Sequence, residues 1–226
     1  MHRLLPLLVI APCAFATGCA NYASLQEAET MRARAFELGV GGTATRYALE
    51  LETTQTVTDA TGATTETTET EREDLLVPAL TLWGRYGVTD RLELHAIAWL
   101  PLGASVGAKY MLVGDRDKGG FMFSPGLDLS APITFQILDT SGTLFDAYVP
   151  LNMGYRFDEA AEVYFTPKYV LRMLASSDAA RVGHAAGATV GFALGHKTQL
   201  LVEGSLLYDT LFDAPIVGGA IGVGFE

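Results

Sequence analysis

Basic residues are scarce in this sequence: 15 lysines and arginines stand against 26 acidic residues among 226, a formal net charge of −11. No basic stripe exists to neutralise phosphates, which excludes nucleic-acid binding. Charge of either sign is sparse, at 18% of residues, below the ~25% of soluble domains. Cysteine occurs only at positions 13 and 19, so a disulfide-stapled fold is excluded. After the first twenty residues no apolar run approaches the ~20 residues of a membrane-spanning helix. Mean hydropathy is nevertheless positive. A soluble protein this apolar would show long buried helices or parallel-sheet runs, and neither is present. What is abundant is glycine, 24 residues, with aromatics at 10%.

Arg3 followed by the apolar stretch Leu4 to Phe15, broken by Pro6 and Pro12, has the length and flanks of a signal peptide. Ala16-Thr17-Gly18-Cys19 follows. It resembles the lipobox of bacterial lipoproteins, with Ala16 where that family usually has Leu. The resemblance implies that residues 1–18 are removed and that Cys19 is acylated. Residues 19–34 are polar and read as a periplasmic tether. Within them Ser24-Leu25-Gln26-Glu27 has capping-box spacing, which predicts a short helix.

From about residue 35 to residue 226 the period becomes two. In Glu162 to Leu174 one face carries Val163, Phe165, Pro167, Tyr169, Leu171 and Met173, and the other Glu162, Tyr164, Thr166, Lys168, Val170 and Arg172. Successive strand side chains point to opposite faces, so one face is apolar and one largely polar. Ten strands are expected, at about 35–53, 72–87, 91–100, 104–113, 120–133, 146–157, 162–174, 184–194, 198–208 and 216–225. Tight turns at 87–90, 158–161 and 195–197 alternate with longer links at 53–70, 134–145 and 175–183. The acidic Thr-rich hairpin around the first of these links, including Glu66, Glu69, Glu71, Glu73 and Asp74, is expected to project from the membrane. A change of parity near Gly41-Gly42 predicts a β-bulge.

Alternation alone does not say which face points inward, and three features favour an apolar exterior. The apolar side chains are too bulky to fit together inside ten strands. The opposite face mixes small residues with single charges, about one per strand: Arg85, Glu93, Lys109, Asp128, Arg156, Lys168, Arg172 and Glu203. Aromatics such as Tyr86, Trp99, Tyr155, Phe157 and Tyr208 fall near strand ends, where membrane girdles form. The eight charged residues are therefore expected in the lumen, with Glu93, Asp128 and Glu203 paired to Arg85, Lys168 and Arg172. The lumen is expected to be a polar plug, since porin-sized channels need roughly 16 strands.

The last segment places Val217, Gly219, Ile221, Val223 and Phe225 on one face, with Glu226 closing the chain. This resembles the C-terminal strand signal of bacterial outer-membrane barrels. Residues 35–226 as a whole resemble the small outer-membrane barrels of the OmpA-like type. The fold this implies is all-β: a closed, antiparallel, up-and-down transmembrane β-barrel of about ten strands, within a range of 8–12. Outer-membrane lipid and the barrel-assembly machinery are the partners it implies.

No motif carries chemistry. His95, His184 and His196 stand outside the signal region, and none has a serine two residues on, as the barrel deacylases have. No metal cluster, nucleophile elbow or phosphate loop is legible, so no catalytic, metal or cofactor site is expected. The expected role is structural, adhesive or envelope-associated. The alternative is a soluble periplasmic barrel lipoprotein that binds an apolar ligand.

Overall fold

Strict alternation commits most of this chain to extended backbone, because only a strand sends neighbouring side chains to opposite faces. The computed structural model describes residues 24–58, 64–100, 103–115, 118–131, 142–158, 160–176, 180–211 and 213–226. Among the described residues ten strands form: β1 (Phe36–Thr58), β2 (Thr64–Gly87), β3 (Leu92–Leu100), β4 (Gly103–Tyr110), β5 (Gly120–Ala131), β6 (Gly142–Asp158), β7 (Ala161–Ser176), β8 (Ala180–Leu194), β9 (Thr198–Asp209) and β10 (Ala214–Phe225). Each pairs antiparallel with its chain neighbours, and β10 pairs with β1 to close the barrel. Closure leaves no unpaired sheet edge in the wall.

Each expected strand overlaps an observed one, but the first hairpin is much longer than expected. The Thr-rich stretch read as a loop is strand on both sides, in continuous register from Tyr47↔Leu75 to Thr58↔Thr64. Threonine is β-branched and favours extended backbone, which polarity alone does not reveal. β10 follows β1 only as far as Tyr47, and β3 follows β2 only to Leu80. The hairpin therefore stands beyond its neighbours by some eleven residues of β1, about 36 Å at ~3.3 Å per residue.

The bulge expected at Gly41-Gly42 is absent. Gly41↔Thr81 and Gly42↔Leu80 continue an unbroken register, and Gly42 pairs with Ile221 on the other side. β1 keeps its register with β2 straight through the parity change. A register shift occurs between Arg156 and Asp158, on β6.

Burial answers which face is inside. On β7, Phe165, Tyr169 and Leu171 are 45%, 46% and 43% exposed, whereas Lys168 and Arg172 are 5% and 1% exposed. The same inversion holds around the barrel: outward positions are mainly Leu, Val, Ile, Phe and Tyr, and most strand charges point in, with Arg46, Asp158 and Arg181 exposed. Phe36, Tyr86, Tyr110, Phe121, Tyr155 and Phe157 are exposed near the end where β2–β3 and β6–β7 turn tightly. Trp99 is a correction: expected among such rim aromatics, it points inward with Glu93, His95 and Ile97 and is buried.

Candidate functional site

A ten-stranded wall encloses more room than its own inward side chains fill, since about eight strands already leave just enough space for side chains. Here the additional occupant is the chain itself. Residues 24–31, expected as part of a tether outside the barrel and as a helix, run through its interior without helical structure. Leu25, Gln26, Glu27, Ala28, Glu29, Thr30 and Met31 are all buried.

A buried backbone needs partners for its N–H and C=O groups, and the wall's side chains supply them in place of helical bonds. Ser24 N and Gln26 N donate to the Glu203 carboxylate at 2.9 and 3.2 Å. Ala28 N donates to Glu162 Oε1 at 2.8 Å, and Met31 N to Glu93 Oε2 at 2.8 Å. The carbonyls accept in turn: Glu27 O from Lys109 Nζ at 2.8 Å, Ala28 O from Ser124 Oγ at 2.6 Å and Glu29 O from Arg85 at 3.3 Å. At the tight-turn rim Thr30 and Ala33 donate to Asp90, and Arg34 N donates to Gly87 O at 2.7 Å, leading into β1. Capping-box spacing lost to this competition because the wall offers ready-made acceptors at alternate residues.

Of the eight charges expected inside, Arg85, Glu93, Lys109, Asp128, Lys168, Arg172 and Glu203 are buried, and Arg156 is mostly so. Their partners are mostly not the ones expected. Arg85 does meet Glu93, at 3.2 Å, but also Glu27 and Glu37. Lys109 Nζ lies 3.4 Å from Glu93. Asp128 meets His95 instead of an arginine or lysine, Nε2 to Oδ1 at 2.7 Å. Arg172 donates to Asp146 at 2.8 and 2.9 Å and also pairs with Asp209. Arg156 pairs with Glu29. Lys168 Nζ donates to Ser24 Oγ at 3.1 Å, and Glu203 accepts from Ser24, Gln26 and Tyr164. The network expected from sequence omitted Glu27, Glu29, Glu37, Asp146, Glu162 and Asp209, of which the sequence reading puts only Glu162 on a polar strand face. Strand parity exposes four of these; Glu27 and Glu29 join only through the fold.

The interior is also less polar than expected. Leu25 sits in an apolar cluster with Trp83, Ile97, Trp99, Tyr164 and Leu201, so the inner segment is held by hydrophobic contact as well as by charge. Trp83 Nε1 donates to Glu37 at 2.9 Å. Among the histidines, His184 Nδ1 lies 2.6 Å from the Tyr169 hydroxyl on the exposed outer face, and His196 is exposed in a turn. His95 Nδ1 has no hydrogen-bond partner among the described residues. Carboxylate oxygens of Glu27, Glu29 and Glu162 lie within 4.8 Å of one another. This grouping was invisible in sequence because it joins the inner segment to β7. Cys19 lies outside the described residues.

No protein-family model matches the chain, and no curated protein matches it. Among solved structures it is similar to the attachment invasion locus protein Ail of Yersinia pestis, at 10% identity over 86% of this chain and 99% of that one, with a TM-score of 0.36. It is similar to Neisserial surface protein A at 10% identity over 84% and 96%, TM-score 0.40. The transport unit of the autotransporter AIDA-I from Escherichia coli gives 11% identity over 97% of each chain, TM-score 0.45. At these identities and scores the likenesses say nothing of activity.

Proposed function

We propose that this chain is an integral outer-membrane β-barrel, filled by its own N-terminal segment, with a structural, adhesive or envelope-associated role. The observation that carries this reading is the inversion of burial on every side of the barrel. Phe165, Tyr169 and Leu171 stand outside while Lys168 and Arg172 are shut in. In water that arrangement forfeits the hydrophobic term and keeps the desolvation cost of the charges. In lipid it is favourable, and closure satisfies the backbone as a bilayer requires. A ligand-binding soluble barrel would need a free apolar interior, and the apolar cluster inside this one is occupied by Leu25, which supports the membrane reading.

Outer-membrane lipid is then the principal partner, and β10 ending in Phe225 serves the barrel-assembly machinery. The long β1–β2 hairpin offers the surface on which an envelope or extracellular partner would act. Carbonate extraction of membranes tests the central claim. Both the wild type and a Cys19→Ser variant should stay with the membrane pellet. Release of the variant into the supernatant would mean that a lipid anchor alone had held a soluble barrel.

A further inference from the structure

The charged layer at the tight-turn end of the interior does not balance. Its connected buried groups are the cations Arg85, Lys109 and Arg156 and the carboxylates Glu27, Glu29, Glu37, Glu93 and Glu162. Counted as ionised and among the described residues, five carboxylates against three cations leave a formal excess of two. His95 cannot supply the difference alone, because its Nε2 is engaged with Asp128, a further acid. Unbalanced charge is costly in a buried setting, and an excess of two matches one divalent cation.

The geometry gives that cation a place. Glu27 and Glu29 come from the inner segment and Glu162 from β7, and one carboxylate oxygen of each lies within 4.8 Å of the others. Glu162 is 3% exposed. Its Oε1 accepts from Ala28 N at 2.8 Å, but its Oε2 is buried with no hydrogen-bond partner. A buried carboxylate oxygen left without a donor is what a metal ligand looks like before its ion is counted. Three carboxylates are a hard, all-oxygen donor set, which suits calcium or magnesium and not zinc or copper. Calcium holds oxygens at about 2.3–2.6 Å, so ligands across it stand about 5 Å apart, whereas magnesium at about 2.1 Å needs a tighter set.

We propose that Glu27, Glu29 and Glu162 bind a divalent cation of the calcium class, which ties the inner segment to the barrel wall. The ion neutralises the acidic excess and joins two stretches of chain more than a hundred residues apart. This holds for the folded barrel whatever its biological role.

The test uses the full-length barrel, refolded in detergent, stripped with chelator and dialysed against radioactive calcium. One ion per barrel is expected, displaced only weakly by magnesium. Glu162→Gln should bind roughly tenfold more weakly or worse, since even indirect support of a metal site is worth about that much. Asp115→Asn, which alters an exposed residue paired with Lys118, should bind as the wild type does. Wild-type protein that retains no calcium overturns the proposal, as does a Glu162→Gln barrel that retains as much as the wild type. If Glu162→Gln does not refold, Glu27→Gln is judged by the same two outcomes.

Discussion

His95 on β3 and Asp128 on β5 meet at 2.7 Å across the strand that separates them. They do so because the residue between them in register is Gly107, which pairs with His95 on one side and Asp128 on the other. A side chain at that point would stand where the two groups touch. One missing Cβ thus decides a polar contact between strands that are not neighbours.

Gly107→Ala should therefore be destabilising. Its Cβ would overlap Asp128 Oδ1 and crowd His95 Nε2, forcing the pair apart and leaving buried polar groups short of partners. A loss of about 1–3 kcal/mol is expected, read as a lower urea midpoint for unfolding in detergent. Gly42→Ala is the control, since a Cβ there meets nothing within 4 Å. Equal midpoints for the two variants would falsify the account.

Arg172→Ala should cost more, about 3–5 kcal/mol, because it strands Asp146 and Asp209 together in the interior. Asp146→Asn and Asp209→Asn added to that variant should recover part of the loss. The measurement is the temperature at which the barrel's gel mobility shifts. No recovery in the triple variant would show that shape, not charge, sets the cost.

The outward face of β7 makes its own prediction. Tyr169→Arg should cost ~2–4 kcal/mol if the site lies near the bilayer midplane, measured by folding into vesicles. A cysteine placed at 169 should resist water-soluble maleimides in membranes. Rapid labelling there would place the residue in water and undo the lipid-facing assignment.

With Leu25 seated among Trp83, Trp99 and Leu201, the wild type should show no stable porin-sized steps in planar bilayers. Leu25→Ala should weaken the barrel by about 2–5 kcal/mol, and deleting residues 24–31 should introduce ion-conducting openings. A folded deletion variant as silent as the wild type would mean that the wall closes by itself.

Metabolic palmitate labelling checks Cys19. Label is expected in the wild type and absent from Cys19→Ser. Equal incorporation, or none in either, contradicts acylation at that residue.

The sequence by itself determined most of each strand and which face of the wall is apolar, because a period of two is a local property that the segments repeat. It placed Arg85, Lys168, Arg172 and Glu203 on the polar face for the same reason. It missed the outer part of the first hairpin, where threonine polarity hides extended backbone. Which partners these residues take was decided only in three dimensions. Arg172 finds Asp146 and Asp209, and Asp128 finds His95, because barrel register and a glycine at 107 set those distances. The path of residues 24–31 was the least legible feature. Taken alone, Ser24-Leu25-Gln26-Glu27 favours a helix start, and its polarity suggests a solvated tether. Only a closed wall offering Glu93, Glu162 and Glu203 as acceptors, and a pocket for Leu25, makes a non-helical buried course the better one.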